Sequence, residues 1–384
     1  MASYRIGIIG CGSVSKFHSE GWQYWKDDCR MTALCDINPA QIKRLKKEFP
    51  DYCGAAEEYT DYREMLARAP LDIVCVCSFS DKHLEHTGGC LAAGKHVLME
   101  KPVGYNLEEA RQFLHLAHKY PAQKVSVAYS MRYRNAFMAM RALIRSGTLG
   151  EIITAEVSYS HPHFGKKIKA QDSTSYLRQQ SDMAGGDTTV AIPTGKKSGY
   201  EDGGGNYIAS SQLTHATHPW DMARYLFGEA SHAFSVDSDK MAAMADSGQG
   251  VQMGMLWMRS GALVHVLAGS TRVPRVGGNQ HQFLQTHGTL GSAWLMRDLY
   301  EPYHYHAYYR TDGEIQTAPA VTELEDSSHG VRIRSKNLMD AIEGKAELIC
   351  SMADGAHTTE LLHALWLSER TGVKTAVLPA RVTG

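Results

Sequence analysis

The chain has 384 residues, 43% hydrophobic and 21% charged, with a formal net charge of -1. That composition excludes a disordered chain, and near-neutrality removes the positive field that gathers phosphate backbones, so no nucleic acid partner is expected. The length predicts two domains, and no apolar run is long enough to span a bilayer.

From residue 4 to about 128, short apolar strands alternate with amphipathic helices, a pattern that demands a parallel sheet with helices on both faces. Strands are expected over Tyr4–Ile9, Met31–Cys35, Ile73–Cys77, His96–Met99 and Lys124–Ala128, and helices over Pro39–Phe49, Asp81–Ala93 and Leu107–Lys119. Asn38 and Asn106 precede two of these helices as N-caps. Residues 1–128 therefore read as a doubly wound Rossmann domain. Its cysteines include Cys75 and Cys77 at alternate positions of an apolar strand, and none of the chain's eight forms a C-x-x-C pair. Core packing is the expected role, with no metal. Met1-Ala2-Ser3 runs into the first strand without a charged leader, so a cytoplasmic location is expected.

Beyond residue 129 the rhythm changes. A helix over Asn135–Ser146 leads into longer strands at Ile152–Ser160, Gly250–Met258, Ala262–Ala268 and Gln280–His287. Strands that follow one another without helices pair antiparallel, so residues 129–384 read as an α+β domain with a large mixed, mostly antiparallel open-faced sheet. It is expected to bind substrate and to form a homo-oligomer, dimer or tetramer, because an uncovered sheet face finds a partner. Residues 185–205 contain seven glycines and read as a long loop, and Arg332–Leu378 reads as two helices and a short strand.

The first strand is followed by Gly10-Cys11-Gly12-Ser13-Val14-Ser15. Glycines there allow a tight turn and close backbone approach to a pyrophosphate, while Ser13 and Val14 open a helix whose positive end faces it. Asp36 ends the second strand, where its carboxylate can accept from ribose hydroxyls and repel a 2'-phosphate. Neighbouring Ile37 and Asn38 add no arginine, so NAD is preferred over NADP.

The segment Gly94-Lys95-His96-Val97-Leu98-Met99-Glu100-Lys101-Pro102 places Glu100 and Lys101 at the carboxyl end of a strand, the edge where ligands sit in open α/β sheets. Together with Gly10-Cys11-Gly12, Asp36 and the ending Asp340-Ala341-Ile342-Glu343-Gly344, it resembles the glucose-fructose oxidoreductase / inositol dehydrogenase / MocA (Gfo/Idh/MocA) family, over essentially the whole chain. The resemblance implies oxidation of a secondary hydroxyl of a sugar, cyclitol or glycoside, with Lys101 hydrogen-bonded to that hydroxyl and a cis Lys101–Pro102 peptide. It places Ser78, Phe79, His83 and Glu100 beside the cofactor, and the pair Arg132-Tyr133 against cofactor and substrate respectively.

A second signature of the family is matched by Gly203-Gly204-Gly205, His218-Pro219-Trp220-Asp221 and Leu226-Phe227-Gly228, which implies His218 as general base. Thr214 stands where the family often has aspartate and Ala216 where it has glycine, with His215 as an extra titratable group. The string Thr214-His215-Ala216-Thr217-His218-Pro219 also resembles one in the family's NAD-dependent glycosidases, where oxidation, elimination, hydration and reduction give net hydrolysis. Both activities stay open on the sequence. Further substrate groups are Tyr159, His161 and His163, which share one face of a strand, and Thr214. Arg178, among the basic residues around the long loop, would suit an anionic sugar.

Overall fold

The computed structural model describes residues 4–162, 217–237, 251–271, 281–297, 304–311, 314–317 and 330–379. The N-terminal domain runs β1 (Tyr4–Ile9), α1 (Ser15–Tyr24), β2 (Cys29–Cys35), α2 (Pro39–Glu48), α3 (Pro50–Cys53), β3 (Glu57–Tyr59) and α4 (Tyr62–Arg68). It continues with β4 (Ile73–Val76), α5 (His83–Ala92), β5 (His96–Met99), α6 (Leu107–Lys119) and β6 (Val125–Val127). The six strands lie in the order β3-β2-β1-β4-β5-β6, all parallel. Every residue of β4 is buried, as a strand covered on both faces requires. Asn38 accepts from Ala40 N–H at 3.0 Å and Asn106 from Glu109 N–H at 2.9 Å, so both predicted caps form. Strand order reverses beside β1, and the crevice between the carboxyl ends of β1 and β4 is where such sheets take ligands. Strand β3 has no apolar pattern to announce it, since two of its three residues are exposed glutamates.

After a 3-10 turn at Ser130–Tyr133 come α7 (Asn135–Arg145), β7 (Ile152–Pro162), α8 (Thr217–Phe227), β8 (Ala230–Asp237), β9 (Val251–Met258) and β10 (Leu263–Thr271). Then follow β11 (His281–Gly288), β12 (Gly291–Arg297), β13 (His304–Thr311), β14 (Glu314–Thr317), α9 (Val331–Ile342), α10 (Met352–Thr371) and β15 (Thr375–Ala376). A nine-stranded sheet has the order β14-β13-β12-β11-β7-β10-β9-β8-β15. The β7–β10 pair is parallel and its other pairs are antiparallel, so the sheet is mixed and mostly antiparallel. Helix α10 packs on one face, where Ser235 Oγ donates to Leu365 O at 3.1 Å.

The C-terminal helices are not confined to the second sheet. Leu338 and Met339 of α9 join Ile6, Ile8 and Trp22 in one apolar core under the Rossmann sheet. A Cβ on Gly21 would come within 2.7 Å of Val331 O, so glycine is what lets α1 and α9 approach this closely. Helix α10 opens with a capping box between Ser351 and Asp354, next to β6, where Ser126 bridges Ser351. The far end of the chain thus buttresses the carboxyl edge of the first sheet.

Candidate active site

The glycine turn is fixed by its surroundings. Gly10 has φ +89°, and a Cβ there would lie 2.6 Å from Ser78 N, against the backbone leaving β4. Gly12 instead faces the crevice, with no protein atom within 4 Å of where a Cβ would be built. Ser15, at the third motif position, turns its hydroxyl back to Gly12 O at 2.7 Å and lets the helix follow at once. No side chain caps α1 and its first turn holds no acid, so the positive end of the helix is left to the crevice. Asp36 closes the turn, its Oδ2 accepting from Cys11 N–H at 2.7 Å and its Oδ1 from Asn38 N–H at 2.8 Å. Burial raises its carboxyl pKa against these two hydrogen bonds and Arg44.

A cavity of about 590 Å³ runs from this turn to the end of β5. Its wall includes Gly10, Gly12, Ser13, Val14, Asp36 and Ile37 at one end. Ser78, Phe79, His83, Glu100, Lys101 and Pro102 also line it. With the exception of Arg132, every residue expected at the cofactor therefore lines one space. Its volume falls in the range of small-molecule sites, and a glycine cradle, an uncapped helix and a ribose-height carboxylate suit a dinucleotide.

Lys101 lies two residues past the end of β5 and its peptide to Pro102 is cis. His83, buried, lies with Nδ1 3.0 Å from Pro102 O and Nε2 3.0 Å from Ser78 O, tying the loops after β4 and β5 together. Burial lowers the Lys101 ammonium pKa, opposed by the adjacent Glu100 carboxylate. Burial would raise Glu100, but the hydrogen bond from His18 and the charges of Arg334 and Lys101 outweigh it and hold the acid at about 2. Glu100 is thus a fixed anion beside an ammonium that gives up its proton more readily than an ordinary lysine.

His218 lies in the first turn of α8. Its ring stands edge-on to Tyr129, with centroids 6.2 Å apart and planes at 84°, and is tilted on Tyr159 at 5.7 Å. Ala128 N–H bonds to Met99 O at 2.9 Å, so Tyr129, the next residue, leaves the sheet beside the strand end that carries Lys101. The imidazole thereby stands on the carboxyl-edge side, between the first sheet and β7, although it does not line the cavity just described. His161 lies in β7 opposite Ser270. His163, Arg178, Thr214 and His215 lie outside the described residues.

Two expected site residues have other work. Arg132 donates Nε to Asp221 Oδ2 at 2.8 Å and Nη2 to Oδ1 at 2.7 Å, with the two side chains only 2% and 1% exposed. Thr358 Oγ1 adds a 2.7 Å bond to the same carboxylate. This buried network joins the 3-10 turn, α8 and α10. Burial opposes the Arg132 charge, and Asp221 outweighs it, so the guanidinium stays ionised. Its nitrogens are committed to protein, not to cofactor. Tyr133 is likewise fully buried, its hydroxyl bonded to Ser126 Oγ at 2.8 Å and Val127 O at 3.2 Å.

Sequence reasoning missed Arg44, whose Nη2 donates to Cys11 O at 2.7 Å and Gly12 O at 2.9 Å and so braces the glycine turn from behind. Its position two turns into α2 gave no hint of this. It also missed the pair Ser78–His86, where His86 Nδ1 lies 2.8 Å from Ser78 Oγ on the cavity wall. Among the described residues no group of histidine, cysteine, aspartate and glutamate could hold a metal ion, and no helix is long and apolar enough to cross a membrane.

Residues 4–129 match the model of the oxidoreductase family Gfo/Idh/MocA, described as an NAD-binding Rossmann fold. The N-terminal domain belongs to the Gfo/Idh/MocA family. Its cofactor is therefore NAD, in agreement with Asp36 and the cradle at Gly12. Inositol 2-dehydrogenase of Pseudomonas savastanoi pv. phaseolicola is 27% identical over 165 residues, 43% of this chain and 48% of that protein. D-glucoside 3-dehydrogenase of Escherichia coli is 34% identical over 150 residues, 38% of this chain and 41% of that protein. The chain thus spans about half the length of the curated relatives it matches. The WlbA dehydrogenase of Bordetella pertussis, solved with NADH and UDP-GlcNAcA, superposes with a TM-score of 0.70 at 18% identity, covering 98% of this chain and 99% of that one. At that identity the likeness extends the shared fold, and the fold alone, to the second domain.

Proposed function

We propose that this Gfo/Idh/MocA protein is an NAD-dependent dehydrogenase that oxidises a secondary hydroxyl of a sugar, cyclitol or glycoside. The observation that carries the reading is Lys101 in the wall of the dinucleotide cavity, at the carboxyl end of β5, with its ammonium pKa lowered by burial. The glycine turn and the N-terminus of α1 would hold the pyrophosphate, and Asp36 the adenosine ribose. NAD, when bound, supplies the hydride acceptor.

The chain's own groups handle the proton. Lys101 donates a hydrogen bond to the substrate oxygen and stabilises the negative charge that grows there as the hydroxyl proton departs. His218 accepts that proton at a ring nitrogen. The Arg132–Asp221 pair fixes α8, and with it the imidazole, against the first domain. Tyr129 and Tyr159 enclose the ring and limit water around it.

The dehydrogenases of inositol and of D-glucosides among the relatives support a polyol or glycoside as substrate. The hydrolytic alternative draws on the string Thr214-His215-Ala216-Thr217-His218-Pro219, of which Thr214, His215 and Ala216 lie outside the described residues. One experiment separates the two. The protein is incubated with NAD and a panel of cyclitols, sugars and chromogenic glycosides while reduced nicotinamide and free aglycone are followed together. Reduced nicotinamide in proportion to oxidised substrate supports the dehydrogenase, and aglycone release without net reduced cofactor rejects it.

A further inference from the structure

Arg44 of α2 touches the glycine turn without lining the cavity in front of it. Nη2 donates to Cys11 O at 2.7 Å and to Gly12 O at 2.9 Å. Nε donates to Gln41 Oε1 at 3.1 Å and Nη1 to Glu48 Oε1 at 2.7 Å. Buried Gln41 and Glu48, both of α2, therefore aim the guanidinium at the turn.

The two carbonyls it holds belong to consecutive peptides, Cys11–Gly12 and Gly12–Ser13. Neither is cis, and in a trans peptide the N–H points opposite to the C=O. Drawing Cys11 O and Gly12 O toward Arg44 turns Gly12 N–H and Ser13 N–H away from it, and Gly12 and Ser13 are residues of the cavity wall. A Cβ built on Gly12 meets no atom within 4 Å, and no side chain caps α1, so the protein leaves that side of the turn open. Successive N–H groups facing one concavity form a nest for an anion. Other parts of the turn are tied down separately. Gly10 N–H donates to Cys35 O at 2.8 Å, Cys11 N–H to Asp36 Oδ2 at 2.7 Å and Ser15 Oγ to Gly12 O at 2.7 Å. Cys11 O is the group that those ties leave to Arg44.

We propose that Arg44 is a positioning residue for the pyrophosphate: it presets both peptides with their N–H groups toward the cavity, so the cradle needs no rearrangement when the dinucleotide arrives. The guanidinium also polarises the two peptides and strengthens their N–H groups as donors. Glu48 offsets its charge, so Arg44 acts through the backbone and not through the net charge of the site. The inference rests on the reading of the glycine turn as the pyrophosphate seat, and the ligands in its test keep the two apart.

The protein is titrated by calorimetry with NAD, ADP and adenosine. NAD and ADP carry the diphosphate, whereas adenosine carries only the base and the ribose given to Asp36. The double variant R44M/E48Q loses one positive and one negative charge and keeps the parent's net charge. It is expected to bind NAD and ADP about tenfold more weakly, the loss of roughly one hydrogen bond to a charged group, with adenosine affinity unchanged. E48Q alone, which keeps the contacts of Arg44 to the turn, is expected to bind all three ligands as the parent does. Circular dichroism selects folded variants, and R44Q/E48Q stands in if R44M/E48Q does not fold. Unchanged ADP affinity in the folded double variant overturns the proposal, as does an equal loss for all three ligands or tighter ADP binding by E48Q alone. A parent protein that binds ADP no more tightly than adenosine refutes the pyrophosphate seat itself, and the role of Arg44 with it.

Discussion

At the scale of single residues, charge decides the cofactor site. The Asp36 carboxylate is pinned at the end of β2 by Cys11 and Asn38 N–H groups, and the proposed function gives it the adenosine ribose. Asp36→Ser should shift the ratio of NAD to NADP affinity toward NADP by roughly tenfold, about 1.4 kcal/mol, as measured by fluorescence titration of both cofactors. A ratio that does not move would reject the ribose role. His86 and Glu100 are among the groups that set the acid limit of stability. Burial holds His86 down to about 4 from 6.5, so the unfolded chain takes up its proton first and stability falls as pH drops from 6.5 to 4. Glu100, held at about 2 against 4.5, contributes stability that is complete above 4.5 and lost as pH falls toward 2. The melting temperature should therefore decline on acidification through both windows, and His86→Asn should flatten the upper one. A melting temperature that rises between pH 6.5 and 4 would contradict this assignment.

At the scale of elements, what the sequence disclosed were local signals. Gly10-Cys11-Gly12 is legible because a turn against Ser78 N excludes any Cβ at Gly10. Asn38 and Asn106 are legible because a cap acts within two or three residues. Long-range partners are not. Arg132 and Asp221 lie 89 positions apart, and nothing near either announces that they share one buried ion pair. The same holds for Arg334 beneath Glu100 and for Arg44 behind the glycine turn. Asp221 of the His218-x-x-Asp221 signature therefore acts through position, holding the helix that presents the histidine. Removing one partner of a buried pair leaves the other uncompensated, so Asp221→Asn should cost about 3–5 kcal/mol in a denaturant melt. A loss below about 1 kcal/mol would show that the pair does not secure α8.

At the scale of the molecule, the nine-stranded sheet has two unlike faces. Helix α10 packs against one. On the other, Val236, Met253, Leu267, Ser158, Phe283 and Met296 stand opposite one another in a row across six strands. Val236, Met253 and Met296 of that row are 50%, 45% and 41% exposed. An apolar row of this kind fits a second copy of the chain, so light scattering should give a dimer or tetramer, and Met253→Lys should lower the mass toward the monomer. A monomeric parent protein would overturn this. The central claim is chemical: NAD bound at the glycine turn accepts hydride from a hydroxyl attended by Lys101. It is tested most directly by comparing the parent with Lys101→Met for NAD affinity and for reduced nicotinamide formed from a cyclitol or glycoside. The account predicts unchanged NAD binding with turnover reduced at least a hundredfold, the upper range for loss of one transition-state donor. Equal rates in the two proteins would contradict it.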